Sequence, residues 1–251
     1  MLNETIISWT NKTWNVWSGC KEVSAGCGRC YAKTIAESKK GSPAFPNGFG
    51  LTYRWHRLND PLKLKEPHKI FVNSMSDLFW KEVTNEDILR VWEVMNKCHL
   101  GKIGHVFQIL TKREQRLLQM DREGLLNWTP NIWQGVTIEN KASLYRMEAL
   151  KETKAQTKFI SFEPLLDDLG PIDLSGIDWA IVGGESGRNY RPMEQSWARN
   201  IRDQCVEQGV AYFYKQDSAP RTETRPWLVE ENGDRFKWEQ MPGNLSEPVR
   251  V

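Results

Sequence analysis

Histidine is scarce in this chain, four among 251 residues, and neither His56 nor His68 lies near the three cysteines that cluster early in the sequence. A structural zinc site takes four protein ligands, so the early thiols are one ligand short. No apolar run approaches the roughly 18 residues of a membrane helix, so no membrane partner is expected. Charge of one sign is missing as well. A net charge of +2 excludes the global basic excess of a nucleic-acid coat, and any nucleic-acid site must be a local groove. Residues Met1 to Thr10 carry neither the basic start nor the apolar run of a secretory leader. Free thiols without such a leader predict a reducing cytoplasm.

What the chain has is a concentrated cysteine loop over residues 15–31. Cys20, Cys27 and Cys30 fall within eleven residues as C-x6-C-x2-C, flanked by Gly19, Gly26 and Gly28. Glycine reaches positive φ, so tight bends turning three thiolates inward are expected. A disulfide would leave one of the three unpaired. Three thiolates suit a [4Fe-4S] cluster whose fourth iron stays open to a small molecule; zinc is the alternative metal. Twelve tryptophans are the other surplus. Packing is their plainer role, and stacking on a base or adenine the sharper one.

At 251 residues the chain suits one large domain or two small ones. Thr5 to Trp9 reads as a first short strand and Tyr31 to Lys40 as a helix whose positive end faces the thiolates. Residues 41–67 form an irregular excursion or lid. Strands then recur at Lys69–Ser74, His105–Leu110, Ile132–Ile138, Lys158–Phe162, Trp179–Val182 and Val210–Tyr214. Between them lie helices, one opened by a capping box at Thr84–Asp87 and one by a Ser196 cap. Cys98 and Cys205 fall on the apolar faces of two of these helices and read as core residues. At least six strand–loop–helix steps predict an α/β fold with a parallel sheet, as a TIM-like full or partial (β/α) barrel or, alternatively, a doubly wound open sheet. Residues 218–251 form a C-terminal extension. Its two alternating runs around Asn232-Gly233 predict a β-hairpin flap.

Parallel α/β proteins gather function at the carboxyl ends of their strands. Those ends carry Asp77, Lys112, Glu139, Glu163, Glu185 and Lys215, one ionisable residue each. Gly183-Gly184-Glu185 brings a carboxylate and bare backbone toward an amine or ribose hydroxyl. Lys112 and Arg113 suit a carboxylate or phosphate, and Arg188 and Arg191 suit a nucleotide backbone.

The runs Trp14–Cys20, Cys27–Ala32, Phe71–Phe79, Leu110–Arg113, Gly135–Asn140, Ser161–Leu166, Gly183–Gly187, Arg191–Met193 and Tyr214–Gln216 together resemble the phage-associated three-Cys-motif proteins, long carried as a domain of unknown function. That family is similar to radical S-adenosylmethionine (SAM) enzymes, although the first cysteine gap is longer than their C-x3-C-x2-C. The resemblance implies a radical-SAM-type barrel over the whole chain, with a [4Fe-4S] cluster on Cys20, Cys27 and Cys30 and SAM on the open iron. Ser76 or Asp77 would meet the methionyl amine, and Glu139 or Glu163 the ribose. Lys112 or Lys215 would position the substrate or its phosphate. It also implies an electron donor, a partner protein encoded nearby, and a nucleic-acid or nucleotide substrate, through base modification or photoproduct-type repair. A non-catalytic zinc or iron–sulfur protein that binds nucleic acid or a partner is the rival expectation. A barrel hydrolase with strand-end carboxylates is a third.

Overall fold

The computed structural model describes residues 2–251. In chain order its strands are β1 (Asn3–Glu4), β2 (Lys12–Trp14), β3 (Trp17–Ser18), β4 (Thr52–Tyr53), β5 (Lys69–Val72), β6 (Val106–Thr111), β7 (Ile132–Thr137), β8 (Thr157–Phe162), β9 (Trp179–Gly183), β10 (Ala211–Gln216), β11 (Leu228–Val229), β12 (Arg235–Lys237) and β13 (Val249–Arg250). The helices are α1 (Tyr31–Ser38), α2 (Asn85–Leu100), α3 (Glu114–Arg122), α4 (Tyr145–Lys151) and α5 (Gln195–Gln208). The fold is mixed α/β with a mostly parallel eight-stranded sheet in the order β1-β2-β5-β6-β7-β8-β9-β10. Only the β1–β2 pair is described as antiparallel in that sheet. Two compact units divide the chain, Met1–Gly135 with Glu152–Gln156 and Val136–Lys151 with Thr157–Val251. No helix among the described residues is long and apolar enough to cross a membrane.

In the first unit, β2, β5 and β6 run parallel, with Trp14 opposite Val72 and Val72 opposite Ile109. The core gathers Trp14, Ile70, Leu78, Phe79, Trp92 and Phe107, all fully or nearly fully buried. Helix α2 forms because Thr84 caps it, its hydroxyl accepting the Asp87 amide at 3.1 Å. Glu86 and Asp87 sit in its first turn and Lys97 and His99 in its last, each complementing the helix dipole. Its buried face runs through Ile88, Val91, Trp92, Met95 and Cys98. Cys98 is a core residue, as its place in that period implies.

In the second unit, β8, β9 and β10 pair in parallel, and all five residues of β9 are buried. A strand covered on both faces reads as an unbroken apolar run, which is why Trp179–Val182 is legible without alternation. Helix α5 presents Ala198, Ile201 and Cys205 to this core, and Gly209 ends it in the left-handed region at φ +70°.

Several expectations are corrected. Thr5–Trp9 is not a strand: β1 covers only Asn3–Glu4, Trp9 and Thr10 are buried, and the first parallel strand is β2 from Lys12. Ser196 lies inside α5, whose N-cap is Glu194 without a side-chain cap bond. The helix step fails after β8. The chain from Glu163 to Asp178 stays irregular, broken by Pro164, Pro171 and positive-φ Gly170 and Gly176, and covers the core with Leu165, Leu169 and Leu174. Residues 41–67, expected as an excursion or lid, pack Leu51, Tyr53, Trp55 and Leu58 against the core of the first unit. Strand β4 pairs with β3, Trp17 opposite Tyr53, and Gly19 lies against Gly50 so closely that a Cβ would overlap its carbonyl. The hairpin around Asn232-Gly233 exists, with Leu228 opposite Phe236, and β13 adds a third strand. It is docked rather than free. Leu228 is fully buried, Arg199 donates to the Val229 carbonyl at 2.7 Å, and Arg202 pairs with Glu230 at 3.0 Å.

Candidate functional site

The cysteine loop is latched to the segment that leaves β5. The Asn73 amide donates to the Trp14 carbonyl at 2.7 Å, and Asn73 Oδ1 accepts the Val16 amide at 3.1 Å. Asn15 Oδ1 accepts the Met75 amide at 2.9 Å, and its Nδ2 donates to Ser74 Oγ at 3.1 Å. One step on, the Gly19 amide donates to the Met75 carbonyl at 3.1 Å, and Ser76 Oγ returns a bond to the Gly19 carbonyl at 2.5 Å. Asn73 sits at φ +55°, a left-handed conformation that asparagine tolerates better than most residues. The polar run Asn73–Ser76 therefore works as a fastener for the lead-in to Cys20.

Beyond Cys20 the chain closes a 3-10 turn over Ala25–Arg29, with the Cys27 amide on the Ser24 carbonyl at 2.9 Å and the Cys30 amide on the Cys27 carbonyl at 3.2 Å. The flanking glycines do not bend the loop in the expected way. Only Gly19 takes positive φ; Gly26 and Gly28 belong to the 3-10 turn. Cys30 is the N-cap of α1, and no side chain caps that helix. Tyr31 Oη donates to the Ser74 carbonyl at 2.6 Å and ties the start of α1 to the same fastener.

Cys20, Cys27 and Cys30 are free thiols and all partly exposed, whereas Cys98 and Cys205 are buried. Their environments differ. Burial pushes the Cys20 thiol up to about 11, with the Asp77 carboxylate adding to the effect and Arg113 opposing it. Burial also raises Cys27, but the Lys112 charge and donors from Val23 and Ser24 outweigh it and leave this thiol below its ordinary value. Among the described residues, no three His, Cys, Asp or Glu side chains form a group that would hold a metal ion.

Asp77 is the hub behind the loop. Its Oδ1 accepts the Phe79 amide at 3.0 Å and Thr111 Oγ1 at 2.7 Å. Its Oδ2 accepts the Lys112 amide at 2.9 Å and Arg113 Nη1 at 3.1 Å. With 6 % exposure and four donors, the carboxylate is spent on the strand ends rather than offered to a ligand. Ser76 is committed to Gly19 in the same way.

In the second unit the expected acids also come with cations. Glu139 is fully buried, and its Oε2 accepts Arg146 Nη1 at 2.8 Å. Glu163 Oε1 accepts Lys215 Nζ at 2.7 Å, joining two residues expected to act separately. Glu185 Oε2 accepts the Arg191 amide at 2.8 Å and its Nε at 3.0 Å, and Oε1 accepts Nη2. Arg191 thus serves Glu185 in this structure, while Arg188 stays exposed. The paired glycines have a packing cause: a Cβ on Gly183 would lie 2.8 Å from the Glu163 carboxylate, and one on Gly184 would overlap the Ser218 amide and hydroxyl. Arg146 escaped the sequence reading, although a lone arginine among Leu144, Met147 and Leu150 is a signal of a buried charge needing a partner. Of the tryptophans, Trp9, Trp14, Trp17, Trp80, Trp92 and Trp179 are buried packing residues.

Comparison with curated proteins and with solved structures returns no match. A family model does match, described as a protein of unknown function, DUF5131, and it spans residues 4–242. With nearly the whole chain inside that match, this protein belongs to the DUF5131 family.

Proposed function

We propose that this protein is an iron–sulfur enzyme of the radical SAM type, with a [4Fe-4S] cluster on Cys20, Cys27 and Cys30 in a full or partial parallel barrel. The supporting observation is three free, partly exposed thiols on one loop that is hydrogen-bonded to the segment after β5. The donor set fits a cluster that takes one thiolate at each of three irons, because the sulfurs then need not converge on a single point. It fits a structural zinc less well, since three thiols are one short of the four protein ligands such a site takes. When bound, the cluster with SAM would supply one-electron radical chemistry.

The chain's own residues have separable tasks in this reading. The Lys112 charge favours the thiolate form of Cys27, and α1 starts after its N-cap Cys30 with no side-chain cap on its N-terminus. Ser76 and Asp77 hold the loop and the strand ends, so the methionyl amine of SAM must be met by other groups. The Lys215–Glu163 pair would have to exchange partners before either residue met a substrate. Nucleic acid is the substrate class proposed, by base modification or photoproduct-type repair, on the phage-type resemblance alone. An external one-electron donor is required.

Anaerobic purification tests the reading. A brown protein with about four irons per chain, which on reduction cleaves SAM to 5′-deoxyadenosine, is the expected result. Colourless protein with one tightly held zinc would replace it with a non-catalytic binding role, and activity surviving Cys27→Ala would point to the strand-end carboxylates instead.

A further inference from the structure

We propose that Arg113 is the positioning residue of the cysteine loop, fastening its Cys20 end to the end of β6 through the Lys21 carbonyl and holding a positive charge there, and so setting the redox poise of a cluster held on that loop. The part concerning the cluster rests on the iron–sulfur reading above; the part concerning the loop does not.

Arg113 is the second residue beyond the end of β6, and its amide donates to Thr111 Oγ1 at 2.9 Å. Its guanidinium then divides its donors. Nη1 donates to Asp77 Oδ2 at 3.1 Å and Nη2 donates to the Lys21 carbonyl at 2.8 Å, which places the positive charge against the residue next to Cys20. Asp77, fixed by its three other donors, aims the fork. The bond to Lys21 joins residues 92 apart in sequence. The bonds of the 3-10 turn, by contrast, are local and cannot fix the loop against the sheet. Arginine suits the task because one planar group meets a carboxylate and a carbonyl at once, which a lysine ammonium on a flexible stem does not reproduce. A positive charge held beside a ligand sulfur favours the more negative, reduced state of an iron–sulfur centre and raises its potential.

The test compares wild type with Arg113→Lys, which keeps a positive charge beside Asp77 and so protects the fold, and with Arg113→Gln. In iron-free protein, hydrogen exchange of the 15–31 segment is read by mass spectrometry, with circular dichroism checking that the fold is kept. After anaerobic reconstitution with iron and sulfide, a redox titration is followed by paramagnetic resonance. The expected result is about tenfold faster exchange in the loop, the loss of one hydrogen bond's protection. In Arg113→Gln, which removes the charge, the potential should become more negative, with the reduced-to-oxidised ratio about tenfold lower at a fixed applied potential, about 59 mV for one electron. Unchanged exchange in both variants overturns the proposal, and so does an unchanged potential in Arg113→Gln that has taken up iron. If the wild type takes up no iron, the proposed function falls and the exchange measurement alone decides: faster exchange keeps the clamp, and unchanged exchange removes it.

Discussion

Removing the charge on Glu139 should unfold the second unit far more readily than any substitution of an exposed acid. Glu139 and Arg146 are 1 % and 2 % exposed at their side chains, 2.8 Å apart, and Arg146 also donates to the Thr137 carbonyl. Bringing two such ions out of water is costly, and only their mutual attraction and hydrogen bonds offset it. Glu139→Gln leaves the guanidinium buried without its counter-charge, a change that costs about 3–5 kcal/mol. Against a total stability of about 5–15 kcal/mol this is a large share. At about 2–4 °C per kcal/mol for a chain of this size, the melting temperature should fall by about 10 °C. The assay is equilibrium urea unfolding followed by tryptophan fluorescence, which reports on buried Trp179 in this unit. Arg146→Met should cost a similar amount, whereas Glu139→Leu with Arg146→Met should recover most of the loss, since an apolar pair of matching volume needs no compensation. If either single change costs under about 1 kcal/mol, or the costs simply add, the pair is not coupled and the reasoning fails.

Two further outcomes follow from the loop and its glycines. In iron-free protein near neutral pH, iodoacetamide should label Cys27 before Cys20, because the thiolate fraction is raised at the first and suppressed at the second. The difference should narrow as pH rises toward the Cys20 value, and Lys112→Ala should slow Cys27; equal labelling at neutral pH would contradict the assignment. Gly184→Ala should lose about 1–3 kcal/mol through overlap with Ser218, while Gly28→Ala, with no atom within 4 Å of the added Cβ, should stay within about 0.5 kcal/mol in the same denaturation assay.

The elements were legible in sequence where burial leaves a pattern. Strands β5 to β10 are apolar runs, and α2 announces itself with the Thr84 cap and a helical period that also assigns Cys98 to the core. What could not be read was decided by contacts distant in sequence. The polar run Asn73–Ser76 looks like a site, yet its partners lie at Asn15 to Gly19. Asp77 and Glu163 look like free acids, yet their cations lie 36 and 52 residues away. Local rules also erred where the competing forms are close in energy. Strand β2 is only three residues long, and the stretch after β8 has the apolar content of a helix but prolines and glycines that forbid one.

The fastening of Asn15–Gly19 by Asn73–Ser76 bears on how this metal-loop candidate could be moved into another scaffold. A graft of the cysteine stretch by itself would arrive without the asparagine and serine groups that hold its entry, and its thiols would sample many arrangements. The transferable cassette is two segments, not one, and any recipient must offer a pair of adjacent parallel strands to carry them.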